Sequence, residues 1–570
     1  IDMDAALKGF DQLRTRVDQE IGDSTSAAML GDYFRDHYNY IMNPEDDWSK
    51  LRAMAFLWYL GFNAKSAAVN MTQVPMVLYP YLSSKFGDVK TTKEIANATI
   101  DAARVFGGKS PKISNALNDM IDRARKDGFL DESIATELAG FSDSNVLERM
   151  VPSTATGRLM SNTSYYGAWM FRNAEKYTRL VSFISATRLA EKSGITDPEE
   201  IYQVGKDAVQ TAMFEYAKWN RPQFMRGKKS VIFLFWMWMQ GASFLALGGA
   251  GGGTAIRFML MLGLLAGLQG IPFAENILDI LNKSTTKIKT LTGMKDPHTE
   301  LRNDIRELMT GITDRPDLIM HGAGRYWGLG PLHAVEALGV PVPNVDITGS
   351  LTMGRFLPGV GEILSNERNP EAKFGRTVVD ILGPVIGIPY NLWKVAESSD
   401  PDVWKKWERG MPIALKSLSK AARLHTRGEE TFRGGGQVVE FDPHDSQAQA
   451  ELIAQSLGFA PSRLSTTYEL RGIKEDFRRY VLMRRSLLLE KYAYAQGEGH
   501  REGIADVRKA VKQFNQNAPP GLRITPRILK ESLKQRRRRA LLRERGLPNE
   551  KGFRRDFLEI EELFPEAQRS

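Results

Sequence analysis

The 570-residue chain contains no cysteine. This absence excludes a disulfide scaffold, a cysteine nucleophile and every metal site that needs a thiolate ligand. It leaves the compartment open, and would suit a protein that folds in both reducing and oxidising surroundings. The chain begins with Ile1 and shows no basic segment followed by an apolar one. We therefore expect no signal peptide and interpret the start as a trimmed or processed end.

Catalytic signatures are also missing. No GxSxG, HExxH or GxGxxG pattern occurs in the context that its chemistry requires. Gly108-Lys109-Ser110 resembles the end of a phosphate-binding loop, but Ala103 stands where the first glycine is needed. His425 and Glu429 stand four residues apart, and a lone pair of this kind does not make a metal site. We predict no enzyme activity, no catalytic or metal-binding residue and no cofactor in this segment.

Charge is unevenly distributed along the chain. The formal net charge is +9, from 77 Lys+Arg and 68 Asp+Glu. Residues 471–545 hold 21 basic and 8 acidic residues, a charge of +13, and the remainder holds 56 and 60, a charge of −4. A basic C-terminal segment on a near-neutral body indicates phosphate-bearing partners, either nucleic acid or anionic lipid. A solvated, Arg-rich outer helix face gives the same pattern.

Residues 230–256 carry no charge. The stretch 231–247 is almost wholly apolar, a glycine-rich stretch follows, and a second apolar run covers 258–274. Each run has about 17 residues, the lower limit for a helix that spans about 30 Å of hydrocarbon. We predict an apolar helical hairpin within 229–285 that either contacts a membrane or is buried in a large soluble core.

Several side chains of this hairpin carry the membrane prediction. Arg226, Lys228 and Lys229 flank the first run as basic anchors do at a membrane interface. Gly263 and Gly267 have the small-xxx-small spacing that permits close helix contact in lipid. The large apolar residues predicted to contact the membrane are Val231, Phe233, Phe235, Trp236, Trp238, Phe244, Phe258, Leu260, Leu262, Leu264 and Leu265.

Helical periodicity dominates the rest of the sequence. An apolar stripe runs along one predicted helix from Tyr166 and Trp169 to Leu180, Val181 and Ile184, with Arg172, Lys176 and Arg179 between its members. Asp197-Pro198-Glu199-Glu200 is typical of a helix start. Gln437–Phe441 is the one short segment that favours a strand or hairpin arm.

These patterns predict an all-α fold, an extended multi-helix assembly with long Gly/Pro-rich ordered loops and very little strand. We divide the chain into a helical region (1–228), the apolar hairpin (229–285), Gly/Pro-rich loops with short helices (286–440) and a basic C-terminal helical region (441–570). Thr525-Pro526 is predicted to begin the last helix.

The run Arg536–Arg539 turns through a full helical circuit, because each residue advances by about 100°. Four such side chains do not share one solvent face, so we expect at least one of them to meet a partner, an acid or a snorkelling environment. The arginines predicted to contact nucleic-acid phosphates are Arg478, Arg479, Arg484, Arg485, Arg536, Arg537, Arg538 and Arg539.

A series of short motifs carries a resemblance. The stretch 63–75 (NAKSAAVNMTQVP) and the stretch 220–227 (NRPQFMRG) before an aromatic-rich apolar run are two of them. The others are residues 270–276, Met320-His321-Gly322, residues 457–461, and Phe514-Asn515 before Ile524-Thr525-Pro526. Their order resembles the C-terminal region of the PLxRFG-type, large polyvalent proteins of phages and prophages, over most of residues 50–545. The literal PLxRFG string is absent.

The resemblance implies an internal virion, or ejection, protein of a short-tailed phage. Such a protein is stored in the capsid near the portal, leaves ahead of the genome, and reassembles in the host envelope as a conduit for DNA. Its implied partners are other internal virion proteins, copies of itself, portal or tail proteins, the backbone of double-stranded DNA and the host inner membrane. Its implied locations are the virion interior before infection and the host periplasm or inner membrane afterwards.

Two alternatives stay open on the sequence. One is an enzyme-bearing module of a polyvalent phage protein that acts on peptidoglycan or nucleic acid, since longer parent chains of this family can carry enzymes elsewhere. The other is a soluble scaffold that docks a portal or tail protein and never meets lipid.

Overall fold

The computed structural model describes isolated positions between residues 12 and 40 and then residues 48–107, 114–130, 155–214, 221–233, 236–271, 316–329, 342–351, 384–398, 401–431 and 437–544. Helices dominate these residues, and the strands among them form two short antiparallel pairs, so the predicted all-α class is confirmed. Much of the predicted Gly/Pro-rich region 286–440 lies outside the described residues. The boundaries of the four predicted regions stay predictions.

The chain divides into two compact units, a larger one of residues 1–285 and 304–467 and a smaller one of residues 286–303 and 468–570. The α-helices described in the larger unit are α1 Ser49–Tyr59, α2 Ala64–Met71, α3 Tyr79–Phe86, α4 Asp88–Phe106, α5 Asn115–Lys126, α6 Ala155–Lys192, α7 Pro198–Ala212, α8 Trp236–Ala246, α9 Gly252–Ala266, α10 Pro316–His321, α11 Thr348–Leu351, α12 Pro384–Glu397, α13 Val403–Glu408, α14 Ile413–Arg427 and α15 Ser446–Ser456. Helix α16 (Ser462–Gly497) continues from the residues of the larger unit into those of the smaller.

Shorter elements connect these helices. A single π-helical turn covers Val74–Leu78, and 3₁₀ turns cover Gln223–Met225, Gly227–Val231, Leu268–Gly270 and Ala323–Leu329. The strands are β1 Val345–Asp346, β2 Glu429–Thr431, β3 Gln437–Glu440 and β4 Ala460–Pro461. β2 pairs with β3, which confirms the predicted hairpin arm, and β1 pairs with β4.

Helix α6 lies at the centre of the larger unit, where α2, α4 and α7 pack around it. Most of its side chains between Ala174 and Ala190 are buried. This all-round burial differs from the one-sided apolar stripe that the sequence predicts. Tyr166 and Trp169, at the start of that stripe, are 63% and 55% exposed, whereas Leu180 and Ile184 are in the core.

Arg179 is buried in the same helix, although the sequence places it among the polar side chains. Its Nη1 donates to the carbonyl oxygen of Phe129 at 3.0 Å. Its Nη2 donates to the carbonyl oxygen of Phe214 and to Oε1 of Glu175, both at 3.2 Å. Because two carbonyls and a carboxylate accept these hydrogens, the buried charge is compensated. Arg179, predicted only to lie between the members of the apolar stripe, is therefore a buried residue of the core.

The predicted start of α7 is confirmed. The helix begins at Pro198, and the side chain of Asp197 accepts a hydrogen bond from the backbone nitrogen of Glu199 at 3.1 Å. Glu199 in the first turn also pairs with Arg123, whose Nη2 lies 3.1 Å from its Oε1. The hydrogen bond from Arg123 lowers the pKa of Glu199 to about 2.

Two glycines bring the backbones of α9 and α10 into direct contact. Gly267 ends α9 with φ of 65°, and Gly322 follows α10 with φ of 66°. A Cβ on Gly267 would lie 2.4 Å from the backbone nitrogen of His321, and a Cβ on Gly322 would lie 2.5 Å from the nitrogen of Gly267. Only glycine fits both the positive φ and this separation, so the contact fixes the end of the apolar hairpin against α10.

The motif that begins at Asn63 contacts the motif at residues 457–461. The backbone nitrogen of Lys65 donates to the carbonyl oxygen of Leu457 at 3.2 Å, and a Cβ on Gly458 would lie 2.2 Å from Oδ1 of Asn63. Asn63 also begins α2 by accepting from the nitrogen of Lys65. Burial lowers the pKa of the Lys65 ammonium, and the nearby carboxylate of Asp346 opposes that shift. Segments far apart in the sequence thus form one junction.

Buried ion pairs tie α13, α14 and β2 together. The guanidinium of Arg423 donates through Nε to Oε1 of Glu408 at 2.8 Å and through Nη2 to Oε2 of Glu430 at 3.0 Å. Arg427 pairs with Asp402, whose side chain also caps α13, and its Nη2 lies 3.1 Å from Oδ1. The hydrogen bond from Arg427 lowers the pKa of Asp402 to about 2.

The smaller unit contains the rest of α16, α17 (Arg501–Asn517), a 3₁₀ turn (Pro520–Leu522) and α18 (Pro526–Glu544). The predicted start of α18 is confirmed, because the nitrogen of Ile528 donates to Oγ1 of Thr525 at 3.4 Å. The side chain of Asn515 fastens the preceding loop, since Oδ1 accepts from the nitrogen of Ile524 at 2.7 Å and Nδ2 donates to its carbonyl oxygen at 2.8 Å. The buried core residues of these helices are Val481, Leu488, Tyr492, Val507, Val511, Phe514, Ala518, Ile524 and Leu529.

Candidate membrane-contact and DNA-contact surfaces

The uncharged segment folds as two helices, α8 and α9, joined by residues 247–251. Helix α9 packs against α3, and their side chains meet where Oγ of Ser84 and Oγ1 of Thr254 lie 2.8 Å apart. Arg257, the lone charge between the two apolar runs, pairs with Asp88 at 3.1 Å between Nε and Oδ1. A hydrogen bond and an ion pair therefore hold the first turns of α9 on the larger unit.

One face of α9 fills the core. Phe258, Leu262 and Leu265 are 1%, 0% and 7% exposed, and Val231 before α8 is 4% exposed. These four residues belong to the predicted membrane-contact set, and three of them, Phe258, Leu262 and Leu265, are part of the core of the larger unit. Their burial agrees with the alternative that the sequence left open, a hairpin seated in a core. Membrane contact by this set stays a prediction.

The opposite face of α9 is apolar and exposed. Ile256, Leu260 and Leu264 recur at four-residue spacing and are 65%, 66% and 60% exposed. Phe244 near the end of α8 and Leu247 after it are 53% and 81% exposed. We call these five residues the hairpin face. Three of them, Phe244, Leu260 and Leu264, belong to the predicted membrane-contact set.

The other residues of the predicted membrane-contact set are half-buried, or their side chains lie outside the described part of the chain. Phe233 and Trp238 are half-buried and pack beside the core. Phe235 and the side chain of Trp236 lie outside the described residues. Among the helices that the structure describes, none is long and apolar enough to cross a bilayer.

The predicted basic anchors differ from one another. Lys228 and Lys229 are exposed, and Nζ of Lys228 lies 5.9 Å from the ring centroid of Trp48, itself 44% exposed. Arg226 is 8% exposed, and its Nε donates to the carbonyl oxygen of Arg221 at 2.9 Å. The two lysines thus fit an interfacial role, whereas Arg226 is a buried structural residue.

The two glycines of the predicted small-residue spacing in α9 also have different surroundings. A Cβ on Gly263 would meet no atom within 4 Å, whereas Gly267 is closed off by the backbone of Met320 and His321. The two glycines therefore do not form one helix-packing surface in this structure.

The predicted DNA-contact arginines lie in α16 and α18. Arg478 is exposed, Arg484 and Arg485 are half-buried, and the side chain of Arg479 lies outside the described residues. The Nε atom of Arg485 is buried and has no hydrogen-bond partner among the described residues. The three described arginines of this set therefore differ in exposure, and only Arg478 is fully on the surface.

The run in α18 is split by the helical turn. Arg537 and Arg539 are exposed, and Arg536 and Arg538 are half-buried. Nη2 of Arg536 lies 3.9 Å from Oε2 of Glu490 in α16. One arginine of the run therefore meets an acidic neighbour, as the circuit argument expects, and the run does not form a continuous cationic face.

No family model, curated protein or solved structure matches the chain. The described residues also contain no group of three or more His, Asp or Glu side chains that could hold a metal ion.

Sequence reasoning missed parts of both surfaces. Ile256 and Leu247 belong to the hairpin face but not to the predicted set, although the four-residue spacing of Ile256, Leu260 and Leu264 was readable. On α18, the exposed Lys530 and Lys534 recur at helical spacing before the arginine run but do not belong to the predicted set.

Proposed function

We propose that this chain is a non-enzymatic internal virion protein of a short-tailed phage, released from the capsid to help form an oligomeric conduit for viral DNA across the host envelope. The order of its motifs, which resembles large polyvalent phage proteins, supports this proposal. So do two chemically distinct surfaces, an apolar one on α8–α9 and a basic one on the C-terminal helices. Its partners in this role are copies of itself, other internal virion or portal proteins, DNA and the host inner membrane.

The observation that carries the membrane part of the proposal is the hairpin face. Exposed apolar patches of this kind mark surfaces that contact a partner or a membrane. Fully burying a Leu or Ile side chain contributes about 1.5–3 kcal/mol, so five such side chains supply a useful binding free energy even after partial burial. The exposed Lys228 and Lys229 before α8 match the basic residues that attract anionic lipid headgroups.

A scaffold that docks a portal or tail protein would cover the same face with protein instead of lipid. The two functions therefore differ in what binds the hairpin face, and a flotation experiment with vesicles separates them.

The test compares three forms of the full chain in flotation with vesicles of phosphatidylethanolamine and phosphatidylglycerol. The wild type is expected to float, and Leu260→Glu/Leu264→Glu is expected to float several-fold less. The matched control is Val89→Glu/Ile453→Glu, because these residues are 85% and 63% exposed on other helices. The control should float like the wild type, and circular dichroism should show that all three forms are equally folded.

Equal flotation of the face variant and the control would remove the membrane from the proposal. Failure of the wild type to float has the same consequence and favours the protein-docking scaffold. Point variants are preferable to deleting residues 231–274, because the deletion also removes the core side chains Phe258 and Leu262.

A further inference from the structure

Three exposed cations form a row on α18. Lys530, Lys534 and Arg537 are all exposed. Since each residue advances by about 100° and 1.5 Å, the three lie within about 60° of one another and extend about 10 Å along the helix. This length equals the axial rise of about three phosphates on one DNA strand, at about 3.4 Å each.

The row is not neutralised by the protein. Within the described part of the chain, Lys530, Lys534 and Arg537 form no ion pair. The neighbouring acid, Glu531, is engaged with Arg527 at 2.8 Å between its Oε1 and Nε. Like charges at three- and four-residue spacing destabilise a helix by about 0.2–0.5 kcal/mol per pair, so the row opposes the stability of α18.

A second row lies on α17. Arg501, Arg508 and Lys512 are exposed, and the helical advance places them within about 40° of one another over about 16 Å. Among the described residues these three side chains also form no ion pair. The smaller unit therefore carries two straight cationic rows on separate helices.

The chemistry of both helices favours a rigid polyanion over a lipid surface. An interfacial helix binds lipid by inserting an apolar face between headgroups. The apolar side chains of α17 and α18, among them Val507, Val511, Phe514 and Leu529, instead fill the core of the smaller unit. Among the described side chains of α17 and α18, no large apolar one is exposed, and this charged surface suits the regularly spaced phosphates of a nucleic-acid duplex.

We propose that the rows Lys530/Lys534/Arg537 and Arg501/Arg508/Lys512 bind the phosphate backbone of duplex DNA without reading its bases. This inference rests on the proposed conduit function and names the DNA-contacting residues, of which only Arg537 belongs to the run predicted from sequence. No base-reading element is needed, because a conduit must accept every sequence of the genome that passes through it.

The test measures binding of the full chain to a short mixed-sequence duplex by fluorescence anisotropy between about 50 and 200 mM salt. One variant is Lys530→Gln/Lys534→Gln/Arg537→Gln, and a second is Arg501→Gln/Arg508→Gln/Lys512→Gln. The matched control, Lys90→Gln/Lys93→Gln/Lys126→Gln, removes three exposed lysines from the larger unit and changes the net charge equally.

Each row variant is expected to flatten the slope of log K against log salt by about 2–3, since each lost phosphate contact removes about 0.9. The control should leave the slope unchanged, and a second duplex of unrelated sequence should bind equally. A slope that changes no more in the row variants than in the control overturns the assignment. The assignment is also overturned if the wild-type chain does not bind the duplex and the row variants bind phosphatidylglycerol vesicles more weakly than the wild type does.

Failure here is distinguishable from failure of the proposed membrane role. The row variants leave the hairpin face intact and should float with vesicles as the wild type does. Loss of DNA binding with unchanged flotation in a row variant separates the two surfaces. Unchanged DNA binding with lost flotation in Leu260→Glu/Leu264→Glu assigns lipid binding to the hairpin face alone.

Discussion

The two units of this protein are stabilised in different ways. The larger unit has a core in which side chains such as Phe183, Ile184 and Leu262 are fully buried. It also buries whole ion pairs, such as Arg423 with Glu408 and Glu430. In the smaller unit every core residue retains between 2% and 9% exposure, and the two cationic rows stand on the surface without an ion pair among the described residues. The larger unit therefore buries part of its charge together with its apolar core, whereas the smaller one keeps its cationic rows exposed.

The largest expected effect separates the two faces of α9. Phe258→Ala should lower the free energy of unfolding by about 3–5 kcal/mol, because it opens a cavity in the core. Leu260→Ala, two residues away but 66% exposed, should change it by no more than about 0.5 kcal/mol. Urea unfolding followed by circular dichroism measures both. Equal losses would contradict the division of this helix into a core face and an exposed face.

The next effect tests how the smaller unit is held together. Asn515→Ala leaves the backbone nitrogen and carbonyl of Ile524 without their side-chain partner, and should cost about 1–3 kcal/mol. Gln513→Ala, an exposed position on the same helix, is the control. Hydrogen exchange should speed up at the amide of Ile524 and stay unchanged in the larger unit. If hydrogen exchange became equally faster throughout the chain, the side chain of Asn515 would not act on the smaller unit alone.

The smallest effect follows from a paired carboxylate of the larger unit. The pKa of Asp402 is about 2, below its value of about 3.9 in an unfolded chain. Its contribution is therefore fully present above about pH 4 and is lost as the pH falls towards about 2. Because the pair with Arg427 is partly exposed, the contribution is below about 1 kcal/mol.

Arg427→Gln should accordingly destabilise the protein near neutral pH, and the difference from the wild type should vanish near pH 2. Urea unfolding at several pH values measures the difference in the free energy of unfolding. A constant difference across that range would contradict the assignment of the effect to the Asp402–Arg427 pair.

Local signals in the sequence predicted local structure well. The cap at Asp197, the start of α18 after Thr525 and the β2–β3 hairpin each depend on a few adjacent residues, and each is confirmed. Such signals hold because a capping side chain satisfies backbone groups within its own turn, whatever surrounds it.

Which side of a helix is buried was harder to predict. In an uncharged segment every side of a helix is apolar, so periodicity does not distinguish Leu262, which is buried, from Leu264, which is exposed. The same limit applies to Arg179, because its partners Phe129 and Phe214 come from other parts of the chain. The burial of a residue on a central helix depends on tertiary neighbours, which a single sequence does not show.

The junction between Asn63 and Gly458 has a consequence for the order of synthesis. The two segments are about 390 residues apart, and such distant contacts form late because a long loop must close first. At about 5–20 residues per second, a ribosome makes the second partner roughly 20–80 s after the first. The contact of Asn63 and Lys65 with residues 457–458 must therefore wait for nearly the whole larger unit to emerge, whereas the cap that Asn63 places on α2 does not. Until then α2 relies on a partner that is made earlier, chiefly α6, so the junction is a late addition to a helix that is already packed.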